Sequence, residues 1–592
     1  MIAETYDAFL KMFEILPMPE DFKAVRGHRI KPAPYAPVVL RVARGSFAHL
    51  PVSVVVPEEC IFTTEVRPGF SRHMPVGEQQ ILRAALSCAP FAGKVCPLGF
   101  IRDTDGGEKA DVLLECDVEM RPWMPNQASV LIDIPSDAEP GDYEAKVTFY
   151  AHAMFYDERV VTEIPFTIRV EKAVIPQGDD RAFYLNLWQH NFNIARHLEV
   201  PAYTARHIEA LRPFVKSLCA LGCRVATVVL SDAAWGGQGA FEYWNNPSDL
   251  YEYNYVRIRK DRDGHFKYDF SFADAYIGLM AEYGAKDIMF TGLYGIWTNR
   301  EFGCVVEDWP DAIRVSYVDE TDGAIRFMRT RAEVKDYFRA VYQWIVNTGK
   351  LERSVVMGDE VDLGGKTEGW TEMLRIFHEL MPGIRMEWDN APWSMRTDEY
   401  KNEPVDVYTP GIDAIAKAKK EDLDAAYARV REGGHILWST CCYPPLPNSF
   451  LGCKLTEVRL HGLITRHMRT EGFLRWNYTV WPADPRARLD IQTWPVGDCC
   501  FVYPAKDGGC LLSLRYLALR RGIEDFELAH LVESTVENGA AIAEKAVAKV
   551  VVEPDMAKWD FDNYFEEGRE RLYSGDINDY EEARGLLLDA LR

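Results

Sequence analysis

The chain has 592 residues, 47% of them hydrophobic and 27% charged, so it is long enough for two or three folded domains. Its 90 acidic and 67 basic residues give a formal net charge of −23. This charge repels phosphate backbones and anionic membranes, and no basic run offsets it, so we expect neither nucleic acid nor a membrane as a partner. A neutral substrate fits the charge better.

The N-terminal segment MIAETYDAFLKMFEIL lacks the basic start, unbroken apolar stretch and small-residue cleavage site of a secretory signal. No stretch reaches the roughly 18 apolar residues of a membrane-spanning helix, and we expect a cytoplasmic protein. The 13 cysteines are scattered, which favours reduced thiols over a disulfide framework. No cysteine or histidine cluster has the spacing of zinc ligands, so we expect neither a metal nor a cofactor.

Residues from about 22 to 175 contain short segments in which apolar and polar positions alternate, such as VVLRVARG, ASVLIDIP and YEAKVTFYAHAMF. Proline, glycine and aspartate bound these segments. The pattern is typical of antiparallel strands, and it predicts an N-terminal antiparallel β-sandwich domain over residues 1–178.

From residue 183 onward, short apolar runs alternate with helical patterns, as in βα units. We predict a (β/α)8 TIM-type barrel over residues 179–505 and a C-terminal helical extension over 506–592 that packs on it. Helices are predicted over 204–221, 332–349, 411–432, 455–470 and from Leu511 to about Glu533, whereas 391–403 is too short for a full helix. The eight strand candidates are 183–188, 224–230, 287–294, 354–358, 384–388, 405–409, 435–440 and 472–476.

Active sites of such barrels lie at the carboxyl ends of the strands. There the sequence places carboxylates among aromatic rings, a combination that suits sugars, because rings stack on sugar faces and carboxylates accept hydroxyl hydrogen bonds. Each residue also has a plain alternative role, either packing at the barrel rim or capping the next helix. The substrate-binding candidates at these strand ends are Trp188, Asp232, Trp297, Asp389, Tyr408, Trp438 and Trp476.

Two adjacent carboxylates, Asp359 and Glu360, directly follow the strand candidate SVVMG. Repulsion between them raises the pKa of one, leaving a protonated acid beside an ionised neighbour. In substrate-assisted retaining glycosidases, one carboxylate orients the 2-acetamido group of the sugar and the other protonates the leaving oxygen. The alternative is a helix N-cap followed by a first-turn acid, and the pair alone leaves both roles open.

Four segments of the second half, in order and with sensible spacing, carry a family resemblance. They are TCCYPPLPNSF (440–450), GFLRWNYTVWPADP (472–485), TWPVGDCCFVYP (493–504) and SLRYLALRRGIEDFELAHL (513–531). With most of residues 180–535, they resemble glycoside hydrolase family 123. The resemblance implies an exo-acting β-N-acetylgalactosaminidase with substrate-assisted retention, in which Asp359 polarises the acetamido group and Glu360 is the general acid/base.

The resemblance also implies roles for residues around the sugar. Trp476 would form the floor of the subsite, Trp494 and Asp498 would line it, and Tyr408 would hydrogen-bond the acetamido carbonyl. Relatives that resemble this chain read WAYNSW where it has WNYTVW, so Thr479 stands where an asparagine is expected. Asn477 is therefore a further substrate-binding candidate, and the exact sugar stays open.

The sequence thus predicts an exo-acting glycoside hydrolase that removes a terminal β-linked N-acetylhexosamine, with GalNAc as the expected sugar and a small glycan or glycoside as its partner. One alternative is a glycosidase for a non-acetamido sugar that uses a second carboxylate, such as Asp232 or Asp389. Another is a catalytically silent carbohydrate-binding protein. Linkage, aglycone and oligomeric state are left open by the sequence.

Overall fold

The computed structural model describes residues 3–28, 38–66, 80–115, 117–153, 156–232, 252–294, 306–310, 313–358, 367–389, 405–428, 430–487, 489, 494–561 and 569–592. In this part of the chain, no helix is both long enough and apolar enough to cross a membrane.

The N-terminal region begins with helix α1 (Ala3–Leu10) and continues with eleven strands. The strands are β1 (Glu14–Pro17), β2 (Val38–Arg44), β3 (Phe47–Val55), β4 (Cys60–Thr63), β5 (Gln80–Ser87), β6 (Ala92–Arg102), β7 (Glu108–Leu113), β8 (Val118–Met120), β9 (Asn126–Asp133), β10 (Gly141–Ala153) and β11 (Arg159–Val174). They form a five-stranded sheet, in the order β1-β3-β9-β6-β7, and a six-stranded sheet, in the order β2-β11-β10-β5-β4-β8.

The prediction of a purely antiparallel sandwich is wrong. The five-stranded sheet is antiparallel throughout, but in the six-stranded sheet β2 runs parallel to β11 and β4 runs parallel to β5. Alternation of apolar and polar residues indicates a half-buried strand, but it does not indicate whether the neighbouring strand runs parallel or antiparallel. A tight hairpin forces antiparallel pairing, whereas long connections, such as the one between β4 and β5, permit a parallel pair.

Apolar side chains of both N-terminal sheets form one core. Strand β3 is buried along its whole length, and Val52, Val130, Phe149 and Ile168 are at most 1% exposed. These residues belong to a cluster drawn from ten strands, which packs the apolar faces of the two sheets together.

The central region contains strands β12 to β23 and helices α2 to α9. Its strands are β12 (Tyr184–Leu187), β13 (Val225–Val229), β14 (Arg257–Lys260), β15 (Phe266–Asp269), β16 (Asp287–Thr291), β17 (Ser316–Asp319), β18 (Ile325–Phe327), β19 (Ser354–Gly358), β20 (Arg385–Asp389), β21 (Val405–Thr409), β22 (Val430–Ser439) and β23 (Gly472–Arg475). Its helices are α2 (Asn191–His197), α3 (Ala205–Leu221), α4 (Ser271–Glu282), α5 (Arg331–Asn347), α6 (Thr367–Leu380), α7 (Ile412–Lys417), α8 (Lys420–Tyr427) and α9 (Leu455–His467).

Eight of these strands form one parallel sheet, in the order β12-β23-β22-β21-β20-β19-β16-β13. The two end strands approach each other through one parallel bridge, between Leu185 and Cys223, where Arg224 N donates to Leu185 O at 3.3 Å. The sheet therefore curls into a nearly closed ring. Strands β14, β15, β17 and β18 form a separate small sheet within the connections that follow β13 and β16.

All eight predicted strands of the ring are confirmed, although β22 begins at Val430, five residues before its predicted start at 435. The helices predicted over 204–221, 332–349 and 455–470 correspond to α3, α5 and α9. The helix predicted over 411–432 is instead two short helices, α7 and α8, and residues 430–432 belong to β22. The weak segment 391–403 lies outside the described residues.

Contacts between non-adjacent strands identify the inner face of the ring. Tyr184 Oη donates to Asp287 Oδ2 at 2.7 Å, and the Tyr184 ring lies 4.1 Å from that of His435. These residues belong to strands separated by one intervening strand, so their side chains meet inside the ring. The register then assigns Asn186, Leu474 and Val407 to the same inner face.

The C-terminal region adds strands β24 (Tyr503–Pro504) and β25 (Cys510–Leu511) and helices α10 (Leu514–Thr535), α11 (Gly539–Val550) and α12 (Ile577–Ala590). The predicted helix from Leu511 begins at Leu514, where the Ser513 hydroxyl accepts from Tyr516 N. Helix α10 packs closely on α9, since a Cβ on Gly462 would lie 1.7 Å from Gly522 O.

Candidate functional site

The carboxyl end of the parallel sheet is the candidate site. Strand β19 ends at Gly358, directly before Asp359 and Glu360, which lie outside the described residues, as does Trp297. A Cβ on Gly358 would lie 2.5 Å from the Trp370 ring, so glycine lets α6 pack closely on this strand end. On the next strand, Asp389 is described only by its backbone and lies in register with Thr409.

Two half-buried tryptophans, Trp476 and Trp494, lie together just beyond the end of β23. Their ring centroids are 5.2 Å apart, and the rings meet edge to face at 71°. His190, from the loop after β12, approaches Trp476 edge-on at 6.1 Å. Partly exposed aromatic faces held rigidly in this way are suited to stack on the apolar face of a sugar.

A buried ion pair supports this aromatic surface from behind. The guanidinium of Arg475 binds the Asp498 carboxylate, and both side chains are 0% exposed. Arg475 also donates to Thr440 O at 3.1 Å and to Asn448 Oδ1 at 2.8 Å. Burial raises the pKa of Asp498, while Arg475 and the neighbouring Trp476 act in the opposite direction. The pair therefore joins the ends of β22 and β23 to the segment that carries Trp494.

The loop after β12 is tied to the same segment. His190 N donates to Thr479 Oγ1 at 3.1 Å, and the His190 ring bonds to Trp476 O at 3.1 Å. Burial lowers the pKa of His190 to about 4, so its ring is neutral at pH 7. Thr479, where the resemblance leads us to expect an asparagine, is 0% exposed and forms a β-bridge with Cys500. Its hydroxyl is the acceptor that holds the His190 backbone.

Two more predicted residues lie beside this cluster. Trp188 is 1% exposed, and its backbone N–H donates to Arg475 O at 3.2 Å. Asn477 is 0% exposed, and neither polar atom of its amide has a hydrogen-bond partner among the described residues. A buried amide with this hydrogen-bonding capacity is suited to bind water or a ligand.

Asp232, just after β13, is buried and accepts hydrogen bonds from two backbone N–H groups. Its Oδ1 accepts from Asn254 N at 3.2 Å and its Oδ2 from Ser316 N at 2.6 Å. It is 2% exposed, and burial raises its pKa while these hydrogen bonds lower it. The carboxylate therefore connects β13 to the segments that lead into β14 and β17.

Tyr408 and Trp438 lie on the helix-facing side of the sheet. Trp438 Nε1 donates to Thr465 Oγ1 of α9 at 2.7 Å, and its ring packs 4.6 Å from that of Phe473. Tyr408 is in register with Ile436, two residues before Trp438 and on the same face. The structure thus brings Trp476, Asn477, Trp494 and Asp498 together and places these two residues behind the sheet.

Glu387 is a buried acid of the inner face that the sequence reasoning missed. It is 1% exposed, one layer below the carboxyl end of β20, and accepts from Thr409 Oγ1 at 3.2 Å. Burial raises its pKa to about 7. The sequence did contain a signal for Glu387, because it is a glutamate within the apolar run IRMEW. Arg475 within GFLRW gave the same kind of signal. An isolated charge in a buried strand requires a partner or a function.

Within the described ranges, no group of three or more histidine, cysteine, aspartate or glutamate side chains is arranged to hold a metal ion.

The family model of the glycoside hydrolase 123 catalytic domain matches residues 188–532, more than half of the chain. No curated protein matches the sequence. Among solved structures, a family 123 glycoside hydrolase from Clostridium perfringens, described for the details of glycolipid glycan hydrolysis, is similar in fold. The TM-score is 0.69 at 14% identity, covering 98% of this chain and 96% of that chain.

Two other glycosidases are much more distant. A putative β-galactosidase from Bacteroides fragilis has a TM-score of 0.27 at 9% identity, over 81% of this chain and 58% of that one. A β-glucuronidase from Bifidobacterium dentium has a TM-score of 0.28 at 10% identity, over 84% and 66%. With TM-scores this low, neither similarity supports a conclusion about fold or function. The family model matches residues 188–532, and the chain therefore belongs to glycoside hydrolase family 123.

Proposed function

We propose that this glycoside hydrolase is an exo-acting β-N-acetylhexosaminidase that removes terminal β-linked GalNAc with retention of configuration. The observation that carries the proposal is the family match over residues 188–532, which spans Asp359 and Glu360 directly after a strand of the parallel sheet. The fold neighbour from Clostridium perfringens, described as hydrolysing the glycan of glycolipids, supports a glycan substrate.

The proposed chemistry divides the work between substrate and protein. The acetamido oxygen of the sugar attacks C1 and forms an oxazoline-like intermediate. Asp359 orients and stabilises the acetamido group, Glu360 protonates the leaving oxygen, and Glu360 then activates the water that opens the ring. No protein nucleophile and no metal is required for this route.

The aromatic cluster supports the binding part of the proposal. Trp476 and Trp494 offer half-buried rings, and Arg475 with Asp498 holds the Trp476 segment in place. In this proposal Trp476 forms the floor of the subsite, and the Asn477 amide bonds to a sugar hydroxyl directly or through water. Binding energy of this kind orients the acetamido group toward C1.

The test is Glu360→Gln assayed on two substrates. Loss of the general acid should lower kcat/KM for a natural β-GalNAc glycoside by about 10²- to 10⁴-fold. An aryl glycoside with a good leaving group should lose much less in its first step, because that step needs little protonation. Asp359→Asn should slow formation of the intermediate on both substrates.

The exposed variant Glu421→Gln on α8 is the matched control and should behave as wild type. Equal turnover of natural glycosides by Glu360→Gln and wild type would contradict the proposal. A panel of aryl glycosides then separates the alternatives. Turnover of sugars without a C2 acetamido group would favour a second carboxylate, and binding without turnover would favour a silent lectin-like protein.

The second-carboxylate alternative has only weak support at Asp232. Both of its oxygens accept hydrogen bonds from backbone N–H groups, and the side chain is buried. A nucleophile requires a free, approachable oxygen. Asp389, whose backbone lies in register with Thr409 at the end of β20, is the other carboxylate for that alternative.

A further inference from the structure

Two adjacent cysteines lie in the loop after β22. Cys442 is exposed, Cys441 is partly exposed, and both are free thiols whose Sγ atoms are 3.9 Å apart. The second vicinal pair of this chain, Cys499 and Cys500, is buried. Of these two pairs, the first is the one that a reagent in solvent reaches.

The loop that carries the exposed pair is bonded to the support of the aromatic surface. Asn448 Nδ2 donates to Cys441 O at 2.8 Å, and Asn448 Oδ1 accepts from Arg475 Nη1 at 2.8 Å. Arg475 also binds Asp498 and donates to the carbonyl oxygen of Thr440, the residue directly before Cys441. The cysteine pair is thus connected through Asn448 and Arg475 to the segment that carries Trp476.

We propose that Cys441 and Cys442 form a redox modification site, in which a small-molecule disulfide oxidises the two thiols to a vicinal disulfide and thereby changes sugar binding at Trp476.

The reaction is two successive thiol–disulfide exchanges. The thiolate of the more exposed Cys442 attacks one sulfur of the small disulfide, breaks its S–S bond and releases one thiolate. Cys441 gives its proton to solvent, and its sulfur attacks the Cys442 sulfur and releases the second thiolate. Two electrons pass from the cysteines to the small disulfide, which leaves as two thiols after taking up the two protons.

The order of attack follows from the surroundings of the two sulfurs. The contact with Cys442, burial and the nearby Asp498 carboxylate raise the pKa of the Cys441 thiol well above its usual value. A thiol held protonated in this way is the slower nucleophile in solution. Once Cys442 carries the mixed disulfide, Cys441 is only 3.9 Å away, and proximity compensates for its low thiolate fraction.

Closing the disulfide must move the loop. The sulfurs have to approach from 3.9 Å to about 2.05 Å, which closes a ring that contains the peptide between the two cysteines. Cys441 O belongs to that peptide and is an acceptor of Asn448. The expected effect on sugar binding rests on the proposed function, because it takes Trp476 as the floor of the sugar subsite.

The experiment oxidises the whole protein with cystamine, a cationic disulfide suited to this acidic chain. We expect the loss of two thiols in the peptide covering 440–450, a peptide mass lower by two hydrogens, and a several-fold higher KM for aryl β-GalNAc. Dithiothreitol should reverse all three changes. Cys442→Ser should keep its KM on treatment, and Cys441→Ser should stop at the mixed disulfide. Cys219→Ser, which alters a partly exposed cysteine on α3, should respond as wild type.

The readouts separate this proposal from the proposed function. A treated peptide without the disulfide, or a mixed disulfide that persists in wild type, overturns the modification site. A disulfide that forms without any change in KM overturns the link to Trp476. If reduced protein does not cleave β-GalNAc at all, the proposed function fails, whereas peptide mass still decides whether the site is oxidised.

Discussion

Among single residues, two arginine–aspartate ion pairs are both completely buried but hold different parts of the chain together. Arg475 with Asp498 supports the aromatic surface, and Arg515 with Asp111 joins α10 to β7, and all four side chains are 0% exposed. Removing one partner of a buried pair leaves an uncompensated charge and typically costs about 3–5 kcal/mol. Burial is matched in the two pairs, but only Asp498 bonds directly to Arg475. Arg515 reaches the same segment through the carbonyl oxygens of Gly497 and Cys500, at 2.9 and 2.7 Å.

We expect Asp498→Asn and Asp111→Asn to lower the free energy of unfolding by similar amounts. Asp498→Asn should raise KM more than Asp111→Asn does, because Arg475 would lose the carboxylate that fixes the segments around Trp476, whereas Arg515 keeps its hydrogen bonds to Gly497 O and Cys500 O. Denaturant titration and steady-state kinetics measure the two effects. Equal KM values for the two variants would mean that Arg475 and Asp498 serve the fold alone.

Glu387 gives a prediction about pH. Burial raises its pKa from 4.5 to about 7, so between these values the unfolded chain loses a proton that the folded chain keeps. The folded state binds more protons in this window, and stability falls as the pH rises through it. The substitution Glu387→Gln removes this dependence of stability on pH. The amide oxygen of the glutamine can still accept the hydrogen bond from the Thr409 hydroxyl.

The gain in stability of Glu387→Gln over wild type should therefore be near zero at pH 4. It should reach on the order of 3 kcal/mol at pH 8. Urea unfolding of both proteins at the two pH values measures the gain. Glu421→Gln on the exposed side of α8 controls for replacement of a glutamate as such. A gain that is equal at pH 4 and pH 8 would contradict the assignment of Glu387 as a buried neutral acid.

At the scale of elements, the contact between α9 and α10 depends on two glycines. A Cβ on Gly462 would lie 1.7 Å from Gly522 O, and one on Gly522 would lie 2.3 Å from Arg459 O. These obstacles are backbone atoms, which cannot rotate away as a side chain does. The sequence SLRYLALRRGIEDFELAHL predicted the helix, whereas the reason for its glycine appears only where α9 crosses it.

We expect Gly522→Ala to destabilise the protein by at least the roughly 1–3 kcal/mol typical of overpacking, because the helices must separate. Gly278→Ala on α4 is the matched control, since its Cβ would meet nothing within 4 Å. Removing a glycine from an open helical position should stabilise by about 0.5–1 kcal/mol. Thermal unfolding measures both variants, and a fall of equal size in the two would rule out the close crossing as the cause.

Elements of the ring were predictable because their signals are local. Apolar runs such as SVVMG and VDVYT became β19 and β21 within a residue of their predicted bounds. The side of the sheet on which each residue lies was harder to predict. In the sequence, Trp438, Tyr408 and Trp476 are all aromatic residues at strand ends, and nothing local distinguishes them. The register of the neighbouring strands places them on the helix side, and register is a property of the assembled sheet.

At the scale of the whole molecule, the N-terminal sheets and the C-terminal helices share a core. Val112 of β7 bridges Ser513, and Leu113 N donates to Leu512 O at 2.9 Å. Phe47, Leu98, Ile101 and Val112 belong to the same buried cluster as the parallel ring. The N-terminal sheets therefore bury one apolar face against the rest of the chain.

We expect a fragment of residues 1–178 to self-associate when it is produced alone, because this face and the edge of β7 would be exposed. Light scattering and dye binding to apolar surface measure the effect, with the full-length protein as the control. A monomeric fragment with cooperative unfolding would show instead that the N-terminal region folds independently.

Eight strands of the parallel sheet, the aromatic residues at their ends and the resemblance to family 123 could be read from the amino-acid sequence, because each depends on a short stretch of chain. The mixed N-terminal sheet, the burial of Asp232 among backbone donors and the Arg475–Asp498 support behind Trp476 became visible only in the folded structure. These features join residues far apart in the chain, and their free energies depend on which groups lose water together. Alternation and composition carry no record of such pairings.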